Sequence, residues 1–116
     1  MSGQVNRKAL REQYEQTREA GVYRILNSGN TKSLLGSALN LASVRNRFAF
    51  AKSTNSLGGL DLRLSKDIRQ FGFAAFSLEV LEVLGTAPEM TEAEIAEDLA
   101  TLEGLWREKF DPATLY

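Results

Sequence analysis

The stretch GVYRILNSGNTKSLLGSA, residues 21–38, decides the fold. Its first part, 21–26, carries β-branched and aromatic residues on alternating sides of the chain, and this pattern predicts a β-strand. The run 27–30 contains a glycine and two asparagines, which adopt positive φ at low cost, so it predicts a turn. A second strand is predicted over 32–37. Two short strands around such a turn indicate an antiparallel hairpin.

Four helices and a third strand complete the predicted elements. Asn40 is a good N-cap for a helix that ends near residue 51. Apolar residues at helical spacing predict another helix over 60–71, and Thr91 with Glu94 forms a capping box that starts the last helix. In chain order, the prediction is a helix over 5–20, strands over 21–26 and 32–37, a helix over 41–51, a loop over 52–59, a helix over 60–71, a mostly buried strand over 76–84 and a helix over 91–109.

This order of elements predicts an α+β fold, in which helices flank a small, three-stranded and mainly antiparallel sheet. The 116 residues leave room for one domain. We assign residues 1–20 to an N-terminal helix and residues 21–116 to the domain itself. No internal repeat or low-complexity tract interrupts it.

The composition excludes several kinds of site. The chain has no cysteine and no histidine, which rules out thiolate zinc sites, thiol nucleophiles and imidazole acid–base chemistry. Any catalysis must therefore use carboxylates, tyrosines, hydroxyls, amines or guanidinium groups. No apolar run approaches the ~20 residues that span a bilayer, and the first residues lack the apolar core of a signal peptide. These features predict a soluble, cytoplasmic protein without a membrane partner.

The net charge of −1 conceals two oppositely charged parts. Residues 1–78 hold 12 Lys and Arg against 5 Asp and Glu, a balance of +7, whereas residues 79–116 hold 2 against 10, a balance of −8. The basic part could bind phosphates. The alternative from charge alone is two solvated surfaces that offset each other.

Several short motifs follow one another along residues 21–110. They are GVY at 21–23, LLG at 34–36, a following helix that contains arginines, the segment 64–82, and Glu103 three residues before Trp106. By their order and spacing, more than by any single motif, they resemble the GIY-YIG nuclease family. GVY then corresponds to the GIY triplet, LLG stands in the place of YIG, the segment 64–82 corresponds to the lead-in helix and third strand, and Glu103 to the metal-binding glutamate.

The resemblance implies a nuclease that hydrolyses a DNA phosphodiester with an in-line water and a single divalent metal. It implies that Tyr23 helps to deprotonate the water, that Glu103 binds Mg²⁺ or Mn²⁺, and that Arg45 assists. A single oxygen ligand with several waters suits Mg²⁺, and a phenol, with a pKa of about 10, needs nearby cations to act as a base at neutral pH. Without the resemblance, Tyr23 fits a strand aromatic at the edge of the core, and Glu103 fits a solvated helix carboxylate.

The sequence departs from the family at three places. Leu34 replaces the second tyrosine and removes a polar group. The family's helix arginine falls on Val44 at ungapped spacing, so Arg45 takes that role only if the helix start shifts, since one residue turns a side chain by about 100°. Arg47 lies three positions after Val44. The late asparagine that the family carries near its metal glutamate is missing.

Basic residues concentrate in the middle third of the chain, the region that flanks the nucleic-acid cleft in the family. DNA, either single- or double-stranded, is the implied partner, and a nuclease of this size would need a homodimer to cut both strands concertedly. Solvated helix faces are the alternative explanation of these charges. The candidate DNA contacts are Arg45, Arg47, Lys52, Arg63, Lys66 and Arg69.

Three functions are open at this point: an active nuclease, a catalytically degenerate domain that binds nucleic acid without cutting it, and a protein-interaction module that keeps only the fold. The fold alone does not separate them, because function depends on the geometry of the site.

Overall fold

A three-stranded antiparallel sheet is the frame of the domain. The computed structural model describes residues 19–56 and 62–116. Its strands are β1 (Gly21–Asn27), β2 (Ser33–Ala38) and β3 (Phe76–Val83). They lie in the order β2-β1-β3, and β1 pairs antiparallel with both neighbours. The predicted hairpin and the α+β fold class are confirmed.

Three helices flank this sheet in the described part of the chain. Asn40 caps the first, since its side chain accepts a hydrogen bond from the Ser43 amide at 3.3 Å. The capping box of Thr91 and Glu94 is present at the start of the third. None of these helices is long and apolar enough to cross a membrane. The helices are α1 (Leu41–Thr54), α2 (Leu62–Phe71) and α3 (Glu92–Glu108), with 3₁₀ turns at Phe73–Ala75 and Pro112–Thr114.

Residues 5–18 of the helix predicted over 5–20 lie outside the described residues, so that helix stays a prediction; Glu19 and Ala20, which are described, are not helical. The loop predicted from residue 52 begins later, because α1 continues to Thr54 and ends where Asn55 adopts φ 54°. The last turn of α1 is held by the Lys52 ammonium, which donates to the Phe76 carbonyl oxygen at 3.0 Å.

The larger core lies between one face of the sheet and the pair α1 and α2. Leu64 and Phe76 are fully buried in it, and burial of each stabilises the fold by roughly 2–3 kcal/mol. Because alternate residues of a strand share a face, Ile25 and its cross-strand partner Leu34 both point into this core. The clustered residues are Ile25, Leu34, Phe48, Ala51, Leu64, Ile68, Phe73 and Phe76.

Helix α3 packs on the opposite face, against β2 and β1. Leu99 is its one buried residue. The Trp106 indole Nε1–H donates to the Glu82 carboxylate at 2.8 Å, so the end of α3 is tied to β3 as well. On the same face, Arg24 forms an ion pair of 2.7 Å with Glu79.

The prediction that the third strand is mostly buried is wrong. Only Phe76 is buried along β3, because β3 lies at the edge of the sheet and α3 covers β1 and β2 instead. A bulge also shifts its register, so that Val22 faces Glu82 while Tyr23 faces Val80. Beside this bulge the two strands approach so closely that a Cβ on Gly21 would lie 2.3 Å from the Glu82 carbonyl oxygen.

A polar cluster ties the end of β1 to α2 and to Tyr116. The Tyr116 hydroxyl donates to Asp67 at 2.5 Å and accepts from the Asn27 side-chain amide at 3.1 Å. The Asn30 amide donates to the same Asp67 oxygen at 3.1 Å. Burial raises the pKa of the Tyr116 phenol above its ordinary value, and the hydrogen bond to Asp67 raises it further. These contacts hold the turn of the hairpin against α2.

We expect Tyr116→Phe to destabilise the domain by about 1–3 kcal/mol, because Asn27 is fully buried and would lose a hydrogen-bond partner. Urea unfolding at pH 7 measures this difference. An unchanged free energy of unfolding would contradict a structural role for the cluster.

The same cluster predicts a dependence of stability on alkaline pH. Because the folded pKa of Tyr116 lies above its unfolded value of 10.0, its protonated hydroxyl stabilises the fold fully below that value, and this contribution is lost as the pH rises through the folded pKa. The difference between wild type and Tyr116→Phe should therefore shrink above a pH of about 10. Unfolding curves from pH 7 to 11.5 test this, with Asp67→Asn as a control that removes the carboxylate charge and should weaken the same dependence.

Candidate functional site

A cleft of about 460 Å³ lies at the outer edge of β2. Its wall includes Leu34 and Gly36 from one face of the strand and Leu35 and Ser37 from the other, so the cleft wraps around this edge. Each of the three helices contributes a side chain. The other lining residues are Tyr23, Ile25, Val44, Arg47, Phe48, Arg63 and Glu103.

Tyr23 reaches the cleft from the central strand, and a glycine makes room for its ring. Tyr23 lies directly across from Gly36 in the β1–β2 pairing. A Cβ added to Gly36 would lie 2.6 Å from both Cζ and Oη of Tyr23, well inside van der Waals contact. The phenol therefore lies over the glycine, in the space that a Cβ would take, and any larger residue at position 36 must displace it.

Glu103 enters the cleft from α3, on the far side of the β2 edge. Its side chain is 27% exposed and accepts a hydrogen bond at 3.1 Å from the Arg107 guanidinium, one helical turn later. Leu99, one turn earlier, is buried and fixes this part of α3 against the sheet. Tyr23 and Glu103 are thus 80 positions apart in the chain but line one cleft.

Of the described arginines, two line the same cleft, and Arg45 is not among them. Arg47 comes from α1 and Arg63 from the first turn of α2. Val44 is also in the lining, and residues three apart share a helix face, so Arg47 occupies the face on which the ungapped family spacing had placed Val44. Arg45 is exposed and lies on a different face of α1.

The other predicted DNA contacts lie outside the cleft lining. Lys66 and Arg69 are exposed on α2. Lys52 is exposed but its ammonium already donates to the Phe76 carbonyl, and it lies 5.9 Å from the centroid of the Phe48 ring. Lys52 therefore has a structural role at the end of α1.

The floor of the cleft is apolar where the family carries its second tyrosine. Leu34 stands there and is only 6% exposed, packed in the main core. No hydroxyl replaces the missing tyrosine at this position, and the polar groups of the cleft are instead contributed by its walls.

Among the residues that the structure describes, Glu103 contributes the one carboxylate that lines the cleft. Across residues 19–56 and 62–116, no group of three or more acidic side chains is arranged to hold a metal ion. A single carboxylate still fits Mg²⁺, which keeps several waters and binds through one or two protein oxygens together with substrate phosphate. The donor set thus suits a hard, largely hydrated cation and no soft metal.

The comparison with solved structures identifies the fold. A mutant form of the catalytic domain of intron endonuclease I-TevI superimposes with a TM-score of 0.56 at 18% identity, over 78% of this chain and 82% of that domain. A second structure of the catalytic domain of homing endonuclease I-TevI gives 0.53 at 20% identity, over 84% and 95%. The fold is GIY-YIG-like. No family model and no curated protein matches the sequence, and at this identity the likeness concerns the fold.

We expect Gly36→Ala to move the Tyr23 ring out of the cleft while the sheet stays intact, because the clash falls on the mobile end of a side chain. The change should appear in the aromatic NMR signals of Tyr23, assigned with Tyr23→Phe, with little loss of thermal stability. Gly104→Ala is the matched control, since a Cβ there meets nothing within 4 Å. Unchanged Tyr23 signals in Gly36→Ala would contradict the close approach.

Proposed function

We propose that this chain is a metal-dependent endonuclease that hydrolyses phosphodiester bonds in DNA. One observation carries the proposal: Tyr23, Glu103, Arg47 and Arg63 come from four different elements and line a single cleft. The GIY-YIG-like fold adds support, since the two compared structures are endonuclease catalytic domains. A phenol, a carboxylate and two guanidinium groups are together a coherent set for phosphoryl chemistry.

In the proposed mechanism, the Tyr23 side chain acts as its phenolate, which takes the proton of the attacking water and becomes the neutral phenol. Arg47 and Arg63 would favour the phenolate form by their positive charge, and they would neutralise the scissile phosphate. Glu103 would hold Mg²⁺ or Mn²⁺, which when bound stabilises negative charge on the phosphate and the leaving oxygen. The Arg107 guanidinium, paired with Glu103 at 3.1 Å, balances the negative charge of the Glu103 carboxylate.

Arg47 takes the assisting role that the sequence had suggested for Arg45. Among the described residues, Arg47 forms no ion pair, so its charge is available to a phosphate. Arg45, Lys66 and Arg69 would contribute less specific attraction along the DNA on either side of the cleft.

A second candidate is a domain that binds DNA without cutting it. The buried Leu34 favours this alternative, because it leaves the floor of the cleft without the hydroxyl that orients water or phosphate in the family. The two candidates differ in turnover and agree in salt-dependent binding, so they are separable by experiment. A binding constant that does not change with salt would remove phosphate contacts from both.

Purified protein with Mn²⁺ should nick supercoiled plasmid or cleave single-stranded oligonucleotides. Tyr23→Phe and Glu103→Gln should each lower the rate by roughly 10²–10⁴-fold, the range for loss of a general base or an equivalent group. Glu108→Gln on the exposed side of α3 is the matched control and should keep the wild-type rate. The nuclease proposal would be refuted if Tyr23→Phe kept its activity, or if wild type were inactive under all these conditions.

The two neighbouring arginines of α1 should behave differently. Arg47→Ala should reduce cleavage by roughly tenfold or more, since it removes a donor from the reacting phosphate. Arg47→Lys should recover part of the rate, because it keeps the charge without the planar fork. Arg45→Ala is the control of equal charge, and equal losses in both alanine variants would mean that position in the cleft does not matter.

A further inference from the structure

Phe50 is the most exposed large apolar side chain of the described residues, with 67% of its surface accessible. It lies in the second half of α1, next to two residues that α1 buries in the core, Phe48 and Ala51. Its ring therefore contributes almost nothing to that core. A single exposed phenylalanine is common on protein surfaces, so its meaning depends on its neighbours.

The neighbour that matters is Arg47. Phe50 follows Arg47 by three residues in α1, so the two side chains are adjacent on the helix surface, with Cβ atoms roughly 5–6 Å apart. Arg47 lines the cleft, whereas Phe50 is not among its lining residues. The helix thus presents a guanidinium and a phenyl ring side by side, and the guanidinium has no carboxylate partner in the described part of the chain.

This pair matches the two parts of a nucleotide. A guanidinium binds phosphate, and an exposed aromatic ring stacks on a nucleobase. In a duplex the base faces are covered by neighbouring base pairs, so only an unpaired base can offer its face to the ring. We propose that Phe50 stacks on an unpaired base of the DNA strand whose phosphate is bound at Arg47.

The proposal rests on the proposed function and deepens it by naming the substrate class. The preferred DNA would be single-stranded at the cleft, as in a free strand or an unpaired segment beside a duplex. The base at Phe50 would belong to the nucleotide at or next to the scissile phosphate, because Arg47 and Phe50 are separated by about one helical turn, roughly 4.5 Å along the axis.

The test uses fluorescence anisotropy with a labelled 12-mer oligonucleotide, single-stranded or annealed to its complement, in EDTA so that nothing is cut. Phe50→Ala should weaken single-strand binding by roughly five- to a hundredfold, the range for loss of one base–aromatic stack. Duplex binding should stay close to wild type. The salt dependence should keep its slope, because no phosphate contact is lost.

Two further variants give the controls. Phe50→Tyr keeps an aromatic ring and should restore single-strand binding. Leu105→Ala removes another exposed apolar side chain, 52% accessible, from acidic α3, and should change nothing. In addition, 2-aminopurine at successive positions of the oligonucleotide should be quenched at one position by wild-type protein and not by Phe50→Leu, which tests stacking without a comparison of affinities.

The outcomes separate this inference from the function beneath it. Suppose that wild type binds and cleaves DNA. If Phe50→Ala then binds the single strand as tightly as wild type, or loses the same affinity for single strand and duplex, the stacking proposal is overturned and the nuclease proposal stands. If wild type binds neither form of DNA, both fail together. Selective loss of single-strand binding with rescue by Phe50→Tyr supports the proposal.

Discussion

The pairing of β1 with β2 in one register is the constraint on which the site depends. It places Tyr23 opposite Gly36, where the absence of a Cβ lets the phenol lie over the backbone of β2. A shift of one residue would turn Tyr23 to the other face of the sheet, beneath α3. The turn protects this register, because the Asn27 side-chain oxygen accepts a hydrogen bond from the Gly29 backbone N–H at 2.9 Å, and the Asn27 backbone N–H donates to the Lys32 carbonyl oxygen at 2.8 Å.

Local signals in the sequence were enough to predict the hairpin, the cap at Asn40 and the capping box at Thr91, since each depends on residues within a few positions. Features with distant partners were not predictable in this way. The Asp67–Tyr116 contact joins residues 49 positions apart, and the last turn of α1 depends on a carbonyl of β3. The bulge beside Tyr23 arises from the close passage of β3 by Gly21. The alternation of residues along a strand does not reveal such a contact.

The candidate site divides in the same way. Resemblance pointed to Tyr23 and Glu103, and both line the cleft. It pointed to Arg45, whereas Arg47 lines the cleft, because Val44 and Arg47 are three residues apart and share one face of α1. That spacing of three was visible in the sequence and could have favoured Arg47. The approach of Arg63 could not have been foreseen, since it depends on how Leu64 and Ile68 anchor α2 in the core.

The position of the chain's single tryptophan has a practical consequence. Trp106 follows Glu103 by three residues on α3 and donates a hydrogen bond to Glu82. The Lys109 ammonium lies 4.3 Å from the centroid of its ring. Its emission therefore senses both the seating of α3 on the sheet and the charge beside the indole. The molecule contains its own fluorophore about one helical turn from the cleft, so events at Glu103 can be followed in real time without a label.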